Sequence, residues 1–236
     1  MTTIDRYLAA LEEFTRCAVT DLGYRGEILT AIELHGPGIS LDPREDLEAN
    51  RRILGATLMT LFARVESLYG EGVDLNRFPF PLYQGQQRSS VAPLREQPEV
   101  FAVVVRQTAF TWEAAFYEIA HEAVHFLEPI PNVANNPVAT LDEAVAVQFA
   151  ERMYAEHITA YTGMPPVDSP LRSYRPDNPY NRAFVAAKGL TDNTLHSLRD
   201  AFGAFSQAFD APRMLGLAGD ELTTEQANHL ASPFNY

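Results

Sequence analysis

The sequence predicts an α+β protein, mostly helical, with a small β-sheet beside one of its helices. Three observations predict it. Long stretches repeat apolar residues every three or four positions, as Leu54, Leu58, Leu61, Phe62, Val65 and Leu68 do. Few stretches run β-branched or alternate, Val103-Val104-Val105 being the most continuous. Pro129 and Gly163-Met164-Pro165-Pro166 close helical stretches rather than interrupt them. A chain of 236 residues can bury a sizeable core. It reads as one domain, 1–236, with an N-terminal lobe over about 1–128 and a helical lobe over about 138–236.

In chain order, Ile4, Tyr7, Leu8, Leu11, Phe14 and Ala18 predict an amphipathic helix over residues 2–19. Ile28, Thr30, Ile32 and Leu34 alternate and predict a strand that ends at Gly36-Pro37-Gly38. Asp42-Pro43-Arg44-Glu45 predicts a helix start, with Asp42 as N-cap, Pro43 in the first turn and Glu45 completing a capping box. A stripe from Leu47 to Leu68 carries that helix to Gly70. Residues 71–99, rich in Pro, Gly and Gln, predict loop with short irregular strands around Phe78–Tyr83. Val100–Arg106 predicts a strand. Thr111 caps a helix whose apolar face is Trp112, Phe116, Ile119, Ala123 and Phe126. A loop over 131–137 leads to a helix from Thr140 to about Tyr161. Prolines 165, 166, 170, 176 and 179 predict a loop, and shorter helices follow over 181–188, 192–208 and 224–230. Thr191 and Thr223 are suited to cap the last two.

Composition bounds the function. Eighteen Lys and Arg against 31 Asp and Glu give a net charge of −13, which argues against a nucleic-acid or anionic-membrane partner. Cys17 is the single cysteine, so no intrachain disulfide forms, as suits a reducing compartment. The start Met1–Arg6 lacks a basic region followed by an apolar one, so no signal peptide is expected. No apolar run approaches the ~18 residues of a membrane span. The expected location is cytoplasmic.

The chemistry concentrates in His121-Glu122-Ala123-Val124-His125, the pattern His-Glu-x-x-His. Residues four apart share one face of a helix, so both imidazoles can meet one Zn²⁺. Glu122 projects beside them, where a carboxylate can act on a water. A third ligand six residues after His125 is excluded, because Pro131 stands there. Glu143, eighteen positions after His125 and one turn into the next helix, would complete a His₂Glu set. The spacing Thr140-x-x-Glu143 is also a capping box, and a Glu turned back to cap cannot bind metal. Asp142 is the second candidate ligand, and Glu128 a less natural one. Glu118, one turn upstream, reads as a solvated charge. His157 stands ~21 Å from Glu143 along a continuous helix, which keeps it out of the site.

His121-Glu122-x-x-His125 with a following Glu143-Ala144-Val145-Ala146 resembles the gluzincin group of zinc metallopeptidases. The resemblance covers about residues 100–160. It implies a zincin-like fold, Zn²⁺ as cofactor, a peptide or protein as substrate, and hydrolysis as the reaction. It implies that His121, His125 and Glu143 bind the metal and that Glu122 is general base for a zinc-activated water. It also implies that the Val100–Arg106 strand is the active-site edge strand. An oxyanion-stabilising residue would come from among Tyr154, Tyr161, Tyr174, Tyr180 and His196. Val147 stands where thermolysin-like enzymes carry an Asp four residues after the Glu, so no carboxylate behind the ligand histidines is identified. The alternative is a zincin-like domain that binds zinc without proteolysis and serves regulation or partner binding.

Overall fold

The computed structural model describes residues 42–72, 81–84, 88–95, 98–130, 136–160, 163–167, 169–172 and 177–235. The helix expected over 2–19 and the strand over 28–34 lie outside the described residues, as do Tyr161 and Tyr174. The described architecture is α+β, with seven α-helices and one three-stranded sheet.

Helix α1 spans Glu48–Tyr69. It starts later than the capping box at Asp42 predicts: the Glu45 amide donates to the Asp42 carbonyl at 3.2 Å rather than to its carboxylate, which holds Arg44. The Arg44 backbone amide donates to Asp42 Oδ1 at 3.0 Å and its Nη2 reaches Oδ2 at 2.6 Å. Asn50 Nδ2 then donates to the carbonyls of Asp42 and Glu45 at 3.0 and 3.1 Å, holding the entry turn against the first turn of α1. Leu47, expected in the apolar stripe, is the unassisted N-cap and is exposed. Leu54, Leu58, Leu61, Phe62 and Val65 of the stripe are buried and Leu68 is half-buried, and Gly70 ends the helix at φ 98°, a backbone angle that favours glycine.

Two short strands lie within residues 71–99: β1 over Leu82–Gln84, overlapping the short strands expected up to Tyr83, and β2 over Ser90–Pro93, which was not expected. Strand β3, Phe101–Arg106, follows the β-branched run. Its place corrects the expected edge strand. The order is β1-β3-β2, so β3 is central, parallel to β1 and antiparallel to β2. A run buried at Ala102–Val105 suits a strand paired on both sides. Among the described residues, β1 and β2 are the outer strands.

Helix α2, Trp112–His125, packs against the sheet, α1 and α3 (Thr140–Tyr154). Ala144 and Ala146 on α3 are fully buried, as close approach of the two helices requires. Past Tyr154 the chain widens into a π-helical turn, Ala155–Thr159. Helices α4 (Pro179–Ala187), α5 (Asp192–Phe202), α6 (Ala211–Ala218) and α7 (Thr224–Leu230) complete the fold. Gly203 at φ 80° ends α5 well before the expected residue 208. Helix α6 was not expected. Its cap is Asp210, which accepts from the Arg213 amide at 3.0 Å, and Pro212 sits in the first turn, where no amide is needed. Thr191 and Thr223 cap α5 and α7 as expected, Thr223 with a full capping box to Gln226. Among the described residues no helix is long and apolar enough to cross a membrane.

One core runs through all these layers. Phe62 of α1 meets Phe126 edge-on at 5.6 Å, and the fully buried Tyr69 packs edge-on to Phe149 of α3 and Phe205 at 6.5 and 5.5 Å. Arg199 of α5 ties the ends of α1 and α2 together. Its guanidinium donates to the carbonyls of Tyr69 and Glu71 at 2.9 and 2.6 Å and to Glu128 Oε1 at 3.0 Å.

Candidate metal centre

Helix α2 forms where its cap and its apolar face agree. Thr111 Oγ1 accepts from the Ala114 amide at 3.1 Å. Trp112, Phe116, Ile119 and Ala123 are buried, which fixes the rotation of the helix about its axis. That rotation leaves His121 and His125, four residues apart, on the face towards α3, with Glu122 buried beside them.

Helix α3 brings the acidic pair. The competition between capping and metal binding at Glu143 is settled by a residue far along the chain. The N-cap is Ala139, without side-chain assistance, and Thr140 is the first helical residue. The Thr140 amide, which a capping box would give to Glu143, donates instead to the Ser232 carbonyl at 2.8 Å. Thr140 Oγ1 donates to the same carbonyl at 2.9 Å. Glu143 is therefore turned towards the histidines.

Glu143 Oε2 lies 3.2 Å from His121 Nε2 and 3.6 Å from His125 Nε2, and the two Nε2 atoms are 3.2 Å apart. The three ligand atoms fit within 4.8 Å of one another. Asp142 is not a ligand of this set. Its Oδ2 accepts a hydrogen bond from His125 Nδ1–H at 3.0 Å, which orients the ring with Nε2 towards the centre. It is the carboxylate behind a candidate ligand histidine that sequence reasoning does not locate.

The electrostatics follow from burial and pairing. Burial alone would lower both imidazole values. For His125 the carboxylates of Asp142 and Glu143 outweigh it and push the value well above 6.5, and for His121 the hydrogen bond and charge of Glu143 raise it. Burial would raise Glu143, but His125 and His121 hold it far below the ordinary carboxylate range. Glu122 responds differently. Burial dominates and pushes it up to about 7, against the pull of the two histidines.

Glu118 is not a solvated charge. Arg106 of β3 reaches its Oε1 at 2.8 Å, and Ser89 Oγ donates to Oε2 at 2.5 Å. Ser89 Oγ also accepts the Arg106 amide at 3.1 Å, so Glu118 pins the start of β2 to the metal-facing side of α2. Glu128 points away and pairs with Arg199. His157 is buried in the π-helical turn, 3.6 Å from Glu156. His196 faces Leu68 and Asp200. Tyr154 packs on Phe116 and Tyr117 in the core. Tyr180 alone among the described oxyanion candidates packs its ring on a candidate ligand, meeting His121 at 6.2 Å. Asn178 caps α4 by accepting the Tyr180 amide at 3.0 Å, which places that ring. Burial, reinforced by Glu143, Glu122 and Glu118, keeps the Tyr180 phenol protonated far above neutral pH.

Sequence reasoning missed Ser232 and the role of Asp142. Only the latter had a local signal, its place one residue before a candidate ligand. Comparison with protein-family models, curated proteins and solved structures found no match. What stands on this chain's own geometry is a His121–His125–Glu143 group that could hold a metal ion.

Proposed function

We propose that the protein is a zinc-dependent peptidase. The observation that carries this reading is the convergence of His121 Nε2, His125 Nε2 and Glu143 Oε2, with the buried carboxylate of Glu122 on the next position of the same helix. Two imidazole nitrogens and one carboxylate oxygen form the donor set of a catalytic zinc site, which keeps a position for water or substrate. A bound divalent cation supplies Lewis acidity to a water and to a carbonyl oxygen.

The chain's own groups supply the rest. Glu122, poised near neutrality by its burial, takes the proton of the attacking water on a carboxylate oxygen and returns it to the leaving amide nitrogen. Tyr180, held as a neutral phenol, offers an O–H to the oxygen on which charge develops. Asp142 holds His125 in one orientation throughout.

Strand β2 is the edge suited to an extended peptide, because Ser89 fastens its start to Glu118. The Leu94 amide donates to the Val100 carbonyl at 2.7 Å, which sets the alternation of the ladder. In that register Ser90 and Ala92 bond β3, while the backbone groups of Val91 and Pro93 face outwards. The outer edge therefore offers the amide and carbonyl of Val91 and the carbonyl of Pro93. The missing Pro93 amide limits extended pairing with other chains.

The test is cleavage of a peptide library by the purified protein with and without a chelator. Glu122→Gln is expected to retain zinc and to lose hydrolysis by roughly 10²–10⁴-fold. Full activity in that variant would refute the mechanism. Stoichiometric zinc without cleavage of any peptide would favour a zinc-binding domain that serves regulation or partner binding.

A further inference from the structure

The segment Ser232–Phe234 lies about ninety positions beyond Glu143, yet it borders the centre on two sides. Its backbone runs antiparallel to residues 138–140. Ala139 and Pro233 form an isolated bridge, the Phe234 amide donates to the Val138 carbonyl at 2.9 Å, and Ser232 takes both donors of Thr140. Ser232 is itself latched, its Oγ donating to the His229 carbonyl at 2.6 Å. The Phe234 ring, 7% exposed, packs on Tyr180 at 5.0 Å, and Tyr180 packs on His121.

We propose that Ser232–Phe234 is a positioning strap that decides which of two roles Glu143 adopts. This rests on the zinc-site reading above. With the strap seated, the Thr140 amide is spent on Ser232, and the Glu143 carboxylate is left to the histidines. With the strap released, Thr140 regains an unsatisfied amide at a helix N-terminus, three residues before a Glu. That is the capping box that the local sequence encodes, and Glu143 turns back to fill it. The ring contact through Tyr180 couples the same segment to the rotamer of the first ligand, His121. The strap does not touch the metal position. It acts through Thr140 and Tyr180, by removing a rival hydrogen bond and by holding a neighbouring ring.

The experiment is a zinc competition titration on the full chain against a chromogenic chelator. Wild type, Phe234→Ala, Thr140→Pro and the double variant are compared, with far-UV circular dichroism as the check on folding. Phe234→Ala unseats the strap and is expected to weaken zinc binding by about tenfold or more, the range for groups behind a ligand. Thr140→Pro deletes the amide that would capture Glu143, and proline is tolerated in the first helical turn after the extended Ala139. In the Phe234→Ala background it is expected to restore affinity to near the wild-type value. Were Phe234→Ala not to fold, Phe234→Leu, which keeps the apolar volume but not the ring contact, carries the same comparison. Wild-type affinity in the folded Phe234 variant, or no rescue by Thr140→Pro, overturns the strap. A wild-type protein that binds no zinc overturns the metal-site reading instead.

Discussion

His125 Nδ1–H donates a hydrogen bond to Asp142 Oδ2 at 3.0 Å, while the very next residue, Glu143, presents its carboxylate to the other ring nitrogen. Consecutive residues on a helix point about 100° apart. Asp142 and Glu143 can therefore grip one imidazole from behind and in front only because α3 begins against the end of α2. Asp142→Asn keeps the shape but lets the amide oxygen or nitrogen face the ring, so the tautomer is no longer enforced. Zinc affinity by chelator competition is expected to fall 10- to 100-fold with the fold intact. Unchanged affinity would remove Asp142 from the centre.

Acidity and metal compete for the same atoms. In the metal-free protein His121 and His125 have raised values, so their contribution to stability is complete below about 6.5 and is lost as pH rises through the folded values. Glu143 is depressed, so its contribution is present above about 4.5 and is lost as pH falls through its folded value. Glu122 is raised, so it costs stability increasingly from about 4.5 to about 7. The centre alone is therefore most stabilising near pH 4.5, and the growing cost of Glu122 erodes that contribution as pH rises towards about 7. Zinc needs neutral imidazoles, and its binding releases protons. The gap in Tm between zinc-loaded and metal-free protein, read by calorimetry, should widen from pH 5.5 to pH 8. A gap that does not change with pH would contradict the shared protons.

Val91→Pro is expected to separate substrate docking from metal binding. The Val91 amide faces out of the sheet, so proline there removes no ladder hydrogen bond. Steady-state kinetics on a cleaved peptide should show KM raised about fivefold and zinc affinity unchanged, the loss of one backbone hydrogen bond of about 1 kcal/mol. An unaltered KM would place the peptide on another edge.

Arg199 tests the frame rather than the chemistry. It is buried, and it holds two carbonyls and Glu128 at once. Arg199→Ala leaves those acceptors unpaired and is expected to cost about 3 kcal/mol in urea unfolding. A cost below about 1 kcal/mol would mean that the tie between α1, α2 and α5 is dispensable.

Much of the centre was legible because its determinants are local. Thr111, the apolar face from Trp112 to Ala123 and the four-residue spacing of His121 and His125 all lie within one helix. Glu143 was legible as a candidate but not as a decision, since Thr140-x-x-Glu143 encodes a cap as readily as a ligand. The decision comes from Ser232, whose approach no local pattern announces. Asp42 shows the reverse, where a good capping box lost to Arg44 two residues on. The centrality of β3 was hidden because its partners are three- and four-residue strands in a proline- and glycine-rich stretch. Glu118 looked solvated because Arg106 and Ser89 reach it only through the sheet.

The most direct measurement is anomalous scattering at the zinc edge from crystals of the zinc-loaded protein. The expected result is one strong peak about 2.0–2.2 Å from His121 Nε2, His125 Nε2 and a Glu143 carboxylate oxygen. Asp142 should remain on His125 Nδ1, and the Thr140 amide on Ser232. A peak away from these three atoms, or Glu143 folded back onto Thr140 with zinc present, would contradict the proposed centre.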